Sequence, residues 1–282
     1  MKNLKIGIVG HGFVGKAVDF GFSVNTDKTI IDPIYNSNIK DLEEVDPDVI
    51  FICVPTPMLS TGAIDCSIII DVIKEITERN INSILVIKSS ITPSKLKICT
   101  ELNSNLVYNP EFLTERNANN DFINPDILVI GGSKKNADFV DRIHKDHSLC
   151  NECPVFITDV FTASLVKYTL NTFLATKVLF MNEIYKLFQS TDTSSSWEEF
   201  TDILKSDARI GDSHLSVPGP DGRLGFGGAC FPKDISALIK FAEEEGKKLQ
   251  LLESVKSINN EIRSSYGDLD EREKEQNVSF KV

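Results

Sequence analysis

The chain has 282 residues, 41% of them hydrophobic, and a net charge of −11, which gives it material for roughly two domains and excludes the basic footprint of a nucleic-acid binder. No apolar run approaches the roughly 20 residues of a membrane span, and the opening MKNLKIGIVG enters a strand pattern with no signal-peptide layout. A soluble, cytoplasmic protein is expected, with its six cysteines (Cys53, Cys66, Cys99, Cys150, Cys153 and Cys230) reduced rather than paired.

Short Ile/Val-rich runs recur in chain order: KIGIVG (5–10), TIIDP (29–33), DVIFICV (48–54), SILVIKSS (83–90), LVYNPEF (106–112), ILVIGG (127–132) and PVFITD (154–159). Most are apolar on both alternating faces, the pattern of buried parallel strands. The intervening segments have helical spacing, for example Ile68, Ile69, Val72, Ile73 and Ile76. This alternation predicts an α/β fold, a Rossmann-type doubly wound parallel sheet over residues 1–160.

From Phe161 the character changes. The stretch 161–189 has no Gly or Pro and is apolar on nearly every side, so it predicts a helix buried within the protein or between subunits. Ser196 and Glu199 have capping-box spacing. Residues 211–230 read as a Gly/Pro-rich loop, followed by a helix from about Pro232 towards Gly246 and another over about 247–265. Residues 161–265 thus form an expected helical domain, and 266–282 a charged, frayed tail.

Gly10-His11-Gly12-Phe13-Val14-Gly15 closes the first strand with the G-x-G-x-x-G spacing, and Asp32 closes the second. Such glycines permit a tight turn and close pyrophosphate approach at a helix N-terminus. An acid at that distance accepts from ribose hydroxyls, which favours NAD over NADP. His11, at a variable position of the pattern, is read as exposed.

Other signals lie at strand ends, where ligands bind in such sheets: VPTP (54–57), KSSITP (88–93) and NPEFLTE (109–115). Lys167 and Asn171 are four apart and share a helix face. A lysine in an apolar helix is costly unless it is paired or functional, the plainer reading being a snorkelling side chain. In GFGGACFPKD (225–234), Cys230 is either a thiol aimed at a ligand or a small buried residue at a helix start.

Taken together, GHGFVG, CVPTP, KSSITP, NPEFLTE, the Lys167–Asn171 helix with NEI after it, and GFGGACFPKD resemble the UDP-glucose/GDP-mannose dehydrogenase family, from residue 5 to about 262. The resemblance implies NAD-dependent, four-electron oxidation of a sugar-nucleotide primary alcohol to the carboxylate, UDP-glucose being the expected substrate. It makes Cys230 the nucleophile, carrying a thiohemiacetal and then a thioester, with the helix N-terminus at Pro232 favouring the thiolate.

It further implies that Lys167 stabilises an oxyanion with Asn171 beside it, that Asp234 positions water or the lysine and helps deprotonate the alcohol, and that Glu111 serves acid/base work. Glu115, Lys233, Pro55 and Thr56 fall near the cofactor, and Phe112 and Leu113 near the substrate. The loop Val217–Gly228, with Phe226, Gly227 and Gly228, cradles the sugar and phosphates. Arg209 resembles an arginine that reaches a neighbouring subunit's substrate, and a homodimer is expected. Ser90 stands where the family usually has Thr, retaining the water-positioning hydroxyl. Family members continue with another α/β domain, whereas this sequence stops after the linking helix. The competing expectation is therefore a shortened relative that binds NAD or a partner without turnover. HKDHSLCNEC (144–153) holds zinc-ligand types, but its spacing reads as a polar helix end plus loop, and no metal is expected.

Overall fold

The computed structural model describes residues 3–114 and 116–281. Seven strands, β1 (Leu4–Val9), β2 (Thr26–Ile31), β3 (Val49–Ile52), β4 (Ile84–Ile87), β5 (Leu106–Tyr108), β6 (Leu128–Gly132) and β7 (Val155–Thr158), form one sheet in the order β2-β1-β3-β4-β5-β6-β7. Each falls within one of the seven runs read from the sequence, except that β2 begins three residues earlier and β1 one residue earlier. The central strands are buried on both faces; all four residues of β3 are inaccessible. The edges differ. β2 exposes Asp27 and Lys28, charges that discourage further strand pairing, whereas β7 exposes Phe156 and Ile157.

The expectation of a parallel sheet needs one correction. β6 pairs antiparallel with β5, Val107 opposite Gly132 and Tyr108 opposite Gly131, while all the other pairings are parallel. Among the described residues the only helix between these strands, α5 (Ala118–Ile123), has six residues. A full βαβ crossover needs about a dozen residues or more to carry the chain back along the sheet, so the chain enters β6 from the same end at which it left β5.

Helices α1 (Phe13–Gly21), α2 (Asp41–Val45), α3 (Ser67–Glu78), α4 (Pro93–Leu102) and α6 (Lys134–His147) complete this first unit. Ile6, Ile8, Val18, Phe22, Phe51, Val86, Val107, Ile130 and Ile143 belong to its core. Each such side chain contributes about 1.5–3 kcal/mol by leaving water.

Two compact units result: Met1–Thr56 with Ile64–Lys167, and Pro57–Ala63 with Tyr168–Val282. The division differs from the expected boundary at residue 160, because the first turns of the long helix α7 (Val160–Gln189) count with the first unit and the segment 57–63 with the second. The second unit holds the rest of α7, then α8 (Trp197–Lys205), α9 (Phe231–Glu244), α10 (Gln250–Ser264) and α11 (Glu271–Glu275). Ala175, Leu179, Phe226, Ile235, Ile239 and Val255 form one core cluster, and Met181, Leu215 and Val217 another. Ser196 and Glu199 form the capping box expected for α8.

One expectation changes here. The terminal segment is not frayed: Glu273, Val278 and Phe280 are buried, and Asn260 Nδ2 donates to the Lys281 carbonyl at 2.9 Å. Its charges conceal two apolar anchors, and its Asp270–Glu273 capping box opens a short helix. On helix α7, Phe173, Phe180 and Leu187, seven residues apart, are exposed on the single chain. Among the described residues, no helix is long and apolar enough to cross a membrane.

Candidate active site

The glycine turn after β1 has the shape its spacing implies. Gly10 lies at φ +88°, and a Cβ there would come within 2.9 Å of the Cys53 backbone; one on Gly15 would come within 1.9 Å of the Gly10 carbonyl oxygen. A Cβ on Gly12, the N-cap of α1, would meet nothing within 4 Å, so the backbone there opens to a ligand. Asp32 closes β2 with its carboxylate held by two amides, His11 N at 2.7 Å and Ile34 N at 3.0 Å. The open helix start and the fixed acid suit the pyrophosphate and ribose of NAD. Phe13 and Val14 are half-buried in the first turn of α1. Pro55 is exposed and Thr56 buried after β3.

His11 is not exposed as expected. Its side chain retains 11% of its accessible surface, with Nε2 3.1 Å from Asp19 Oδ2 and Nδ1 2.9 Å from the Tyr35 hydroxyl. Two polar partners, one on α1 and one on the turn after Asp32, draw the ring down.

Lys167, 3% exposed on α7, is neither snorkelling nor alone. Its Nζ lies 3.0 Å from Glu111 Oε1, donates also to the Glu111 carbonyl, and stands 5.3 Å from the Phe112 ring centre. Glu111 Oε2 accepts from Leu113 N at 2.6 Å, which fixes the carboxylate against its own loop. Both charges of this pair are buried, so removing either costs about 3–5 kcal/mol. Ser90, half-buried, lies within the loop after β4 that begins with Lys88.

Lys88 and Asn109 escaped the sequence reading. Lys88 Nζ donates to Asn109 Oδ1 at 3.0 Å, His144 Nε2 lies 3.3 Å from the same oxygen, and Asn109 Nδ2 donates to the Val129 carbonyl at 2.8 Å. Burial pushes Lys88 down to about 8 and His144 down to about 3. Burial pushes the neighbouring Cys53 thiol up to about 12, so it is inert. Because Lys88 precedes Ser90 by two residues and Asn109 precedes Glu111 by two, this bond ties the ends of β4 and β5 together. A lysine closing an otherwise apolar strand was the available signal. His144 therefore belongs to the core, stacked near Phe22 and Phe122, rather than to a polar helix end; Cys150 Sγ bonds the Phe122 carbonyl. Among the described residues, no group of three or more metal-ligating side chains could hold a metal ion.

In the second unit Cys230 is the N-cap of α9, and its carbonyl accepts from Asp234 N at 2.8 Å. Pro232 occupies the first turn, where its missing N–H costs nothing. Asp234 is fully buried between two donors: Asn171 Nδ2 reaches Oδ2 at 2.6 Å and Lys233 Nζ reaches Oδ1 at 2.6 Å. Four residues named from the sequence (Asn171, Cys230, Lys233 and Asp234) are thus brought together.

Other expected residues stand apart. The Phe226 ring lies in the core of the second unit, and both its backbone groups bond Asn259, so its side chain is structural rather than an open sugar-binding surface. Gly227 and Gly228 continue that loop, Gly228 at φ +76°. Arg209 is exposed after α8, chelated by Asp207 with Nη2–Oδ2 at 2.6 Å. Glu115 lies outside the described residues.

Residues 35–147 match the NAD binding domain of the UDP-glucose/GDP-mannose dehydrogenase family, and residues 161–261 match its central domain. The chain is 34% identical to a UDP-glucose 6-dehydrogenase of Rickettsia felis over 83% of this chain and 51% of that protein. It is 36% identical to the Rickettsia bellii enzyme of the same name, over 87% and 56% respectively. It spans about half the length of these curated relatives. A solved UDP-glucose dehydrogenase from Pyrobaculum islandicum superposes with a TM-score of 0.75 at 25% identity, over 91% of this chain and 68% of that one. A Mycobacterium tuberculosis 3-hydroxyisobutyrate dehydrogenase shares the fold at 15% identity and a TM-score of 0.69, over 95% of this chain and 96% of that one. With the glycine turn and Asp32 suited to NAD and two domains matched in order, the chain belongs to the UDP-glucose/GDP-mannose dehydrogenase family.

Proposed function

We propose that this chain oxidises the primary alcohol of a sugar nucleotide to the carboxylate, with UDP-glucose as substrate. The observation that carries this reading is Cys230 at the N-terminus of α9, with Asp234 buried between Asn171 and Lys233 one turn on. A core cysteine has no need of such a buried set of polar partners, and a two-electron alcohol dehydrogenase has no need of the thiol. NAD supplies the hydride acceptor for both oxidations.

Asp234 helps remove the alcohol proton in the first oxidation. The Cys230 thiolate then adds to the aldehyde carbon, and the new oxyanion is balanced by Lys167 and Asn171. Loss of the second hydride converts this thiohemiacetal to a thioester. Water held by Ser90 attacks the thioester carbon with Glu111 taking a proton, and the Cys230–carbon bond breaks to free the carboxylate and the thiol. Lys167 and Glu111 are already paired at 3.0 Å. Phe112, Leu113, Gly227 and Gly228 contact the substrate in this reading, while Pro55, Thr56 and Lys233 lie near the cofactor.

We place the enzyme in the cytoplasm as a homodimer. Its support is the exposed stripe Phe173, Phe180 and Leu187 on α7, since an apolar face of that kind marks an interaction surface. In this reading the exposed Arg209 exchanges its Asp207 pair for the partner's substrate. The test is NADH formation by the purified chain with UDP-glucose and, separately, GDP-mannose. Turnover with UDP-glucose that Cys230→Ser abolishes or stalls supports the reading. Measurable NAD binding with no NADH from any sugar nucleotide overturns it in favour of a binding relative without turnover.

A further inference from the structure

The loop that leads into Cys230 is held by side chains far along the sequence. Gly225 N donates to Asn182 Oδ1 at 3.0 Å, Phe226 N to Asn259 Oδ1 at 2.7 Å, and Gly228 N to Glu273 Oε1 at 3.0 Å. All three acceptors are buried, Glu273 completely. The same Glu273 oxygen accepts from Arg263 Nη2 at 3.0 Å, while Arg263 Nη1 donates to Asp221 Oδ2 at 2.6 Å. Glu273 Oε2 accepts from Asp270 N at 2.9 Å. Arg263 lies over the Tyr266 and Phe280 rings, at 5.7 Å and 5.4 Å.

The segment that supplies Glu273 is itself anchored. Val278 and Phe280 are buried, Gln276 O accepts from Met58 N at 2.9 Å, and Lys281 O accepts from Asn260 Nδ2 at 2.9 Å. A Cβ on Gly227 would sit 2.2 Å from Arg263 Nη2 and 2.6 Å from Glu273 Oε1, so the guanidinium–carboxylate pair lies directly against the loop backbone. A fully buried carboxylate is expensive unless its charge and lone pairs are met. Here they are met by an arginine and two main-chain amides, one of which belongs to the loop two residues before Cys230.

We propose that the segment Asp268–Lys281 is part of the apparatus that presents Cys230, with Glu273 and Arg263 as positioning residues acting through the main chain of Gly225–Gly228. The claim rests on the reading of Cys230 as the nucleophile. A thiolate reacts only in the right orientation, and a loop with two glycines at positive φ, Gly225 and Gly228, does not hold one unaided.

The test measures alkylation of Cys230 by iodoacetamide in the full-length chain, quantified by mass spectrometry of the Cys230 peptide, beside thermal melts. Glu273→Gln keeps a carbonyl oxygen within reach of Gly228 N but loses the charge; Glu273→Asp keeps the charge but withdraws it by one methylene. Ile73→Ala, a cavity in the core of the other unit, is the stability control. A role in positioning gives wild-type alkylation, within about twofold, in Ile73→Ala, and a fall of at least about fivefold in both Glu273→Gln and Glu273→Asp. Glu273→Asp at the wild-type rate, or a loss shared by Ile73→Ala in proportion to melting temperature, overturns the proposal. Because alkylation needs no substrate, the positioning result stands or falls separately from NADH formation: the expected alkylation pattern in a chain that oxidises no sugar nucleotide supports the clamp while the dehydrogenase reading fails.

Discussion

Two glycine-rich loops are expected to serve the chemistry, and they keep their shapes by different means. The loop at Gly10–Gly15 is held by its own backbone: the Cβ positions of Gly10 and Gly15 are filled by main chain from Gly10 itself and from the adjacent strand end at Cys53. The loop at Gly225–Gly228 is held by Asn182, Asn259, Arg263 and Glu273, side chains 33 to 45 residues away at its three bonded amides. A short-range turn can be read from a motif. A loop that depends on remote side chains shows its glycines in sequence but hides its supports.

The largest effect should come from crowding the self-held loop. Gly15→Val places atoms where even a Cβ is 1.9 Å from the Gly10 oxygen, and backbone cannot yield as a side chain can, so a loss of about 3 kcal/mol or more is expected in urea unfolding. Gly12→Ala at the open position should cost under about 1 kcal/mol yet weaken NAD binding in calorimetric titration. Equal destabilisation by both would break the contrast drawn here.

Next comes Gly227→Ala. Its clash is with the far end of a side chain, but Arg263 is pinned by Asp221 and Glu273, so about 1–3 kcal/mol is expected. A smaller loss in a Gly227→Ala/Arg263→Ala pair than the two single losses added together would show that the remote side chains set the loop's limits.

The first unit also has a remote support, and it titrates. His144 stays neutral in the fold until about pH 3, while the unfolded chain takes up its proton near the ordinary 6.5. The unfolded state therefore binds more protons between these values, and stability falls as pH drops through that window, by about 1.4 kcal/mol per pH unit. His144→Gln should flatten this slope between pH 6 and 4 (approximate bounds set by that window) in unfolding curves; an unchanged slope would place the acid sensitivity elsewhere.

The smallest effect on stability belongs to Arg209→Ala, an exposed pair with Asp207 that solvent screens. No measurable change in melting temperature is expected. A loss of turnover in that variant, restored in mixed dimers with Cys230→Ser chains, would show that Arg209 serves the partner's site.

The seven strands and the long helix were legible because their apolar runs are local and strong. The antiparallel β6 was not, since nothing in ILVIGG records direction; the six-residue α5 before it does. Lys167, Asn171, Cys230 and Asp234 were legible through motif resemblance, and the side-chain partnerships Lys167–Glu111 and Asn171–Asp234 give them their surroundings. Lys88, Asn109 and Glu273 were not, because each acts through a contact made only after folding. The tail was misread because its charges outnumber the two anchors, Val278 and Phe280, that dock it.

The most direct test of the central claim is the NADH formed per sugar nucleotide consumed, with UDP-glucose, in the wild type and in Cys230→Ser. A thioester pathway gives about two NADH per sugar in the wild type, and turnover lost or stalled after the first oxidation in the variant. About one NADH per sugar in both proteins would contradict it and reduce Cys230 to a packing residue.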